Sequence, residues 1–183
     1  LVRGAKGTGK TLLFRLFVER SIDARALARS YADLSTVQFI PGQGQAKLRN
    51  TLLSSTDLAS YEQQAGEHSW PLFWLNYMLL QLVSSQSELQ TMPGLDPQLV
   101  ALGLEEKPQH ANIVDWLVHR AKTPQSAPQA NDILLTIDRW LQEHKQRVWL
   151  LYDELDVGFG QNYDRRRRCL LYTSPSPRDR QKS

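Results

Sequence analysis

The sequence predicts an α/β fold in three layers, with helices on both faces of a parallel sheet. Three observations predict it. An apolar start, Leu1-Val2-Arg3, runs into a glycine-rich turn and then into a helix with Leu12, Leu13, Leu16 and Phe17 at helical spacing. A β-rich run, Thr36-Val37-Gln38-Phe39-Ile40, follows that helix. Far downstream, Val148-Trp149-Leu150-Leu151-Tyr152 is apolar without alternation, the pattern of a parallel strand buried on both faces.

The elements follow in order. The first helix spans residues 10–20 and continues after Ser21 through Asp23 to Tyr31. The second strand is ended by Pro41-Gly42-Gln43-Gly44, a cluster of turn residues. Residues 48–64 are polar and helical in pieces. Residues 69–83, S-W-P-L-F-W-L-N-Y-M-L-L-Q-L-V, form a buried helix, apolar nearly all round, with Ser69 as N-cap and Pro71 in the first turn. A membrane span needs about 20 such residues. This run is shorter and holds Asn76 and Gln81, so no membrane is expected. After Met92-Pro93-Gly94, short helices fall near 97–104 and 112–121. Residues 123–129 hold two prolines and read as a loop. Asp132 then opens an amphipathic helix with Ile133, Leu134, Ile137, Trp140 and Leu141 on one face. The tryptophans of these helices, Trp70, Trp74, Trp116 and Trp140, read as core.

Residues 4–11 carry the chemistry. They are Gly4, Ala5, Lys6, Gly7, Thr8, Gly9, Lys10 and Thr11, and they fit G-x-x-x-x-G-K-[ST], a phosphate-binding loop between a strand and a helix. The glycines permit backbone angles and close approaches that a side chain blocks. Backbone N–H groups then surround a polyphosphate at a helix N-terminus, where the dipole favours negative charge. Lys10 is placed to reach the β- and γ-phosphate oxygens, and the Thr11 hydroxyl to ligate Mg²⁺. The last strand ends in Asp153-Glu154-Leu155-Asp156. An Asp at the carboxyl end of a parallel strand lies on the edge where α/β folds bind ligands. Asp153 is the second candidate for holding Mg²⁺, through water, and Glu154 the candidate general base toward an attacking water.

Together the two motifs resemble those of P-loop NTPases, in the additional-strand, catalytic-glutamate division that includes AAA-type, KAP-type and STAND-type ATPases. The resemblance covers residues 1–14 and 147–157, and D-E-L-D is similar to the D-E-[LIV]-D ending of AAA-like bacterial ATPases. It implies a P-loop NTPase fold, bound ATP and Mg²⁺, and hydrolysis with Lys10 and Glu154 as catalytic residues. The gap of 143 positions between Lys10 and Asp153 exceeds what a minimal core needs. A helical insertion at about 45–125 is therefore expected within a domain spanning 1–168, a departure from ordinary AAA proteins. No N-K-x-D guanine signal occurs, which favours ATP over GTP. Four activities fit: an ATPase coupling hydrolysis to conformational change, a nucleotide-gated STAND-like module with little turnover, a DNA-associated motor or defence ATPase, and a nucleotide kinase.

The two ends qualify this reading. No initiator Met is present and the chain opens inside the strand expected before the loop, so further sequence is expected upstream. Residues 169–179, C-L-L-Y-T-S-P-S-P-R-D, resemble a translated sequencing-library adapter, and 169–183 are expected to be a non-native, disordered tail. That tail holds Arg178, Arg180, Lys182 and Asp179. Without it, the 22 basic and 19 acidic residues become 19 and 18, so charge indicates neither nucleic acid nor membrane as partner. Cys169, the only cysteine, also lies there. This excludes disulfides, thiolate zinc sites and a cysteine nucleophile from residues 1–168. A cytoplasmic location is the default for a nucleotide-dependent protein, with a homo-oligomer or protein partner as the open possibility.

Further candidates have plainer alternatives. Gln38, with Gly42 and Gly44, is a candidate γ-phosphate sensor or an ordinary strand-to-helix turn. Asp156 is a candidate for orienting its loop or for binding a basic group of a partner. Residues 165–168, four arginines after Asp164, read either as an arginine-finger segment or as an exposed helix start. His68, His110, His119 and His144 share no metal-ligand spacing.

Overall fold

The computed structural model describes residues 9–44, 52–85, 95–104 and 110–153. Over these the chain is mostly helical with one small parallel sheet. Helices α1 (Lys10–Glu19) and α2 (Ser21–Ala28) are separated by the non-helical Arg20. Strand β1 (Val37–Gln43) precedes α3 (Ser55–Ala65), α4 (Trp70–Ser85), α5 (Asp96–Ala101), α6 (His110–Lys122) and α7 (Ser126–Glu143). Strand β2 (Arg147–Tyr152) then pairs in parallel with β1, from Val37 opposite Arg147 to Gln43 opposite Tyr152.

Two boundaries and one burial pattern differ from the sequence expectation. β1 does not stop at Ile40 but runs on through Pro41 and Gly42 to Gln43. Proline is tolerated where its nitrogen is not needed by the ladder, and the register slips between Pro41 and Gln43, leaving Gly42 as the extra residue of a bulge. α7 opens at Ser126, within the expected loop, because Pro128 sits in the first turn, where helical N–H groups lack partners anyway. β2 is not buried on both faces: Trp149 is 41% and Tyr152 36% exposed. Its apolar run meets only β1 as a strand neighbour among the described residues.

The main core lies in the helical layer. α4 is buried on most of its circumference, through Trp70, Phe73, Trp74, Tyr77, Leu79, Leu80, Leu82 and Val83. It packs against α6, α7 and β1, while Leu58 and Tyr61 of α3 join the same cluster. Each such large side chain contributes about 1.5–3 kcal/mol on burial. No helix among the described residues is long and apolar enough to cross a membrane. α3 begins with a reciprocal cap: the Ser54 hydroxyl accepts from the Asp57 N–H at 3.2 Å, and the Asp57 carboxylate accepts from the Ser54 N–H at 2.7 Å.

Three polar residues inside this layer, Asn76, Arg120 and Ser126, bond one another. Asn76 donates to the Leu72 carbonyl at 2.8 Å and to Ser126 Oγ at 3.0 Å. Its own oxygen accepts from Arg120 Nε at 3.1 Å, and Arg120 also donates to the Ser126 carbonyl at 3.2 Å. Arg120 is buried, and desolvation holds its pKa below the ordinary arginine value.

The strand pair lies between helices. Phe17 of α1 meets Phe39 and Trp149 with ring centroids 4.8 and 6.1 Å apart. Tyr152 meets Trp74 of α4 at 6.0 Å, and Val148 packs on the helical core. Side chains alternate along a strand, so Trp149 faces one side and Val148 and Tyr152 the other. Helices α1 and α4 thus cover opposite faces. At the amino end of the sheet, Arg25 of α2 donates to the Leu34 and Val37 carbonyls at 3.2 and 2.8 Å and lies over the Phe39 ring.

Candidate functional site

Gly9 is the N-cap of α1 and takes the left-handed conformation, φ 80°, which glycine adopts without the cost a side chain brings. Its carbonyl accepts the first helical bond, from Leu13 N–H at 2.9 Å. The first turn holds Lys10, half-buried, and Thr11, exposed. No acidic residue stands in that turn and no side chain caps it, so the positive end of the helix dipole is uncompensated by α1 itself. That is the electrostatic setting an anion needs. Gly4, Ala5, Lys6, Gly7 and Thr8 lie outside the described residues, as do Glu154, Asp156 and the arginines 165–168.

Asp153 is the first residue beyond β2 and sits at the carboxyl edge of the parallel pair. Its N–H donates to the Gln43 carbonyl at 2.9 Å, extending the ladder by one residue. Gly44 crosses directly over it. A Cβ on Gly44 would lie 3.0 Å from Asp153 Cβ, and its φ of 116° disfavours any side chain. Gly42 is equally constrained, since a Cβ there would fall 2.6 Å from the Tyr152 ring. One carboxylate oxygen of Asp153, Oδ2, is buried with no hydrogen-bond partner among the described residues. Buried polar atoms are nearly always satisfied, and for a carboxylate the missing partner is a donor, a water or a cation.

Sequence reasoning did not foresee what holds this edge. The Gln43 side chain is buried, 4% exposed. It donates from Nε2 to the Leu53 carbonyl at 2.9 Å and accepts at Oε1 from the Tyr77 hydroxyl at 2.9 Å. The same hydroxyl accepts from Leu53 N–H at 3.0 Å, closing a ring of three buried bonds. Burial pushes the Tyr77 pKa well above the ordinary tyrosine value, so the donated proton stays in place. The signal available in the sequence was Gln43 between two glycines and a tyrosine in an otherwise apolar helix face.

No protein-family model, curated protein or solved structure matches this chain.

Gln38 is not at this edge. It is the second residue of β1, opposite Val148, and lines an open groove of about 350 Å³ with Arg25, Thr36, His144 and Lys145. Five residues at about 3.3 Å each put it roughly 16 Å along the strand from Gln43. The expected γ-phosphate-sensing position therefore does not hold for Gln38; Gly42 and Gly44 are the members of that set beside Asp153.

The donor set suits a hard divalent cation. A carboxylate oxygen and a hydroxyl are ligands Mg²⁺ accepts, with water completing its shell. Among the described residues no group of three or more His, Cys, Asp or Glu side chains forms a metal cluster. A Mg²⁺ ion shared with phosphate oxygens needs only one or two protein ligands. The buried Asp153 oxygen, Oδ2, takes no hydrogen bond from Thr11.

Proposed function

We propose that the chain binds MgATP and hydrolyses it, within a three-layer P-loop NTPase fold. The observation that carries this reading is the buried oxygen of Asp153, at the carboxyl edge of a parallel pair and without a hydrogen-bond partner among the described residues. It occurs in a chain whose first helix opens as Gly9-Lys10-Thr11 with no acid in its first turn. The placement of α1 and α4 on opposite faces of the strands supports the layering. Lys10 would balance charge on the terminal phosphates, and Thr11 and Asp153 would hold the metal. Mg²⁺, when bound, supplies charge neutralisation across the phosphate oxygens. Glu154, next to Asp153 in sequence, would accept a proton from the attacking water. The ATPase, the nucleotide-gated module and the DNA-associated motor share this chemistry and differ in turnover and partner; a cytoplasmic location accords with each. Multiple-turnover phosphate release in the presence of Mg²⁺ tests hydrolysis. Glu154→Gln is expected to abolish turnover while retaining ATP binding. Unchanged turnover would remove Glu154 as the base, and tight binding without turnover in the unaltered chain would favour the gated module.

A further inference from the structure

We propose that Gln43, Tyr77 and the Leu53 backbone form a clamp that positions Asp153 for its cation, and so tie the metal edge of the sheet to helix α4. The inference rests on the MgATP reading above and adds to it residues that no nucleotide motif contains. Its basis is the bulge in β1. Up to Pro41, β1 and β2 are in simple register, and Phe39, paired with Trp149, faces α1. Unbroken alternation would send the side chain at 43 to that same face. The extra residue, Gly42, shifts the register by one, pairs Gln43 with Tyr152 and turns Gln43 toward α4. There its amide meets Tyr77 and Leu53, and both of its polar ends are satisfied.

The consequence reaches Asp153 through the backbone. The Gln43 carbonyl receives the Asp153 N–H, and Gly44, next in chain, lies against Asp153 Cβ. A Gln43 side chain fixed at both ends fixes the peptide that holds Asp153. Both glycines are required by geometry at this one junction, Gly42 under the Tyr152 ring and Gly44 over Asp153. Tyr77 stands on α4 among Phe73 and Trp74, so its hydroxyl couples movement of α4 to the peptide that holds Asp153, beside the Trp74–Tyr152 ring contact. Gln43 and Tyr77 are positioning residues; neither is placed to touch the metal.

The test compares Tyr77→Phe with Tyr61→Phe in the full chain. Tyr61 is also fully buried in the helical layer, and its hydroxyl donates one bond, to the Ser69 carbonyl at 3.1 Å, without touching β1. Two readouts are taken: amide exchange at Gly44 and Asp153 without nucleotide, and the Mg²⁺ concentration giving half-maximal binding of a fluorescent ATP analogue. Loss of an outer-shell partner typically weakens a metal site by about 10–100-fold. Tyr77→Phe is expected to speed exchange at both amides and raise the Mg²⁺ requirement about tenfold, leaving Mg²⁺-free nucleotide affinity unchanged. Tyr61→Phe should do neither at matched loss of stability. Equal effects from both variants would overturn the clamp and make Tyr77 a core residue only. If Tyr77→Phe unfolds the chain, Gln43→Met, which removes the amide and keeps the volume, takes its place with the same expectations. Absence of Mg²⁺-dependent nucleotide binding in the unaltered chain overturns the MgATP reading and the metal half of the clamp. Amide exchange then still decides whether Gln43 and Tyr77 hold Asp153.

Discussion

Trp74 and Trp149 are both tryptophans set among aromatic rings, yet Trp74 is buried and Trp149 is 41% exposed. Trp74 touches Trp70, Phe73, Tyr77 and Tyr152, rings from its own helix and from the sheet it covers. Trp149 touches Phe17 and Phe39. The contrast extends to the regions around them. The helical layer closes on itself: its apolar side chains share one cluster, and Asn76, Arg120 and Ser126 satisfy one another inside it. The strand pair with α1 keeps exposed Leu12, Trp149 and Tyr152, and a buried acid oxygen without a donor among the described residues. Stability is concentrated in the first region and candidate chemistry in the second, and the Gln43–Tyr77 bond joins them.

The largest expected effect comes from breaking the closed side. Phe73→Ala removes a fully buried ring that contacts Tyr61, Trp70, Trp74 and Tyr77, and should cost about 3–5 kcal/mol in urea unfolding. Trp149→Ala, half-exposed, should cost about 1–2 kcal/mol despite deleting a larger side chain. Similar losses would dissolve the comparison.

Two glycines sharpen it at smaller scale. Gly66, the C-cap of α3, has φ 82° and open space around it, so Gly66→Ala carries backbone strain alone, about 1–2 kcal/mol. Gly44→Ala adds a 3.0 Å clash with Asp153 to the same kind of strain, and should cost about 1–3 kcal/mol. Only Gly44→Ala should also weaken Mg²⁺-dependent ATP binding. Equal weakening by both would mean that the effect is global.

The smallest effect is invisible at neutral pH. Burial pushes Tyr61 up to about 12 from 10.0 and raises Tyr77 further in the same direction. Above pH 10 the unfolded chain loses phenolic protons that the folded chain keeps, so unfolding is favoured. This stability is complete below pH 10 and declines as pH rises from 10 through 12. Urea midpoints on either side of pH 10 should reveal the decline, and Tyr61→Phe should reduce its slope.

Much of the helical layer was legible in the sequence. Apolar residues at nearly every position of α4 announce a buried helix, and helical spacing of Ile133, Ile137 and Leu141 announces α7. Proline misled twice for one reason. Pro128 and Pro41 both occupy places where a missing N–H costs nothing, one in a helix's first turn and one in a strand beside a bulge. The bulge was the less readable event, because a single extra residue changes which face every later side chain takes. With the strand expected to end at Ile40, Gln38 stood closer to the expected strand end than it does in the fold, and Gln43 was passed over as a turn residue. Asp153 was readable as an acid at a strand end, but the burial of its Oδ2 and the close approach of Gly44 to its Cβ are tertiary facts.

The central claim, that Asp153 and the first turn of α1 form one MgATP site, is tested most directly by calorimetric titration of ATP with and without Mg²⁺ into the full chain, Lys10→Ala and Asp153→Asn. Expected are Mg²⁺-dependent binding to the unaltered chain, loss of at least about tenfold in affinity for Lys10→Ala, and loss of the Mg²⁺ dependence for Asp153→Asn. Native affinity in Lys10→Ala together with unchanged Mg²⁺ dependence in Asp153→Asn would contradict the claim.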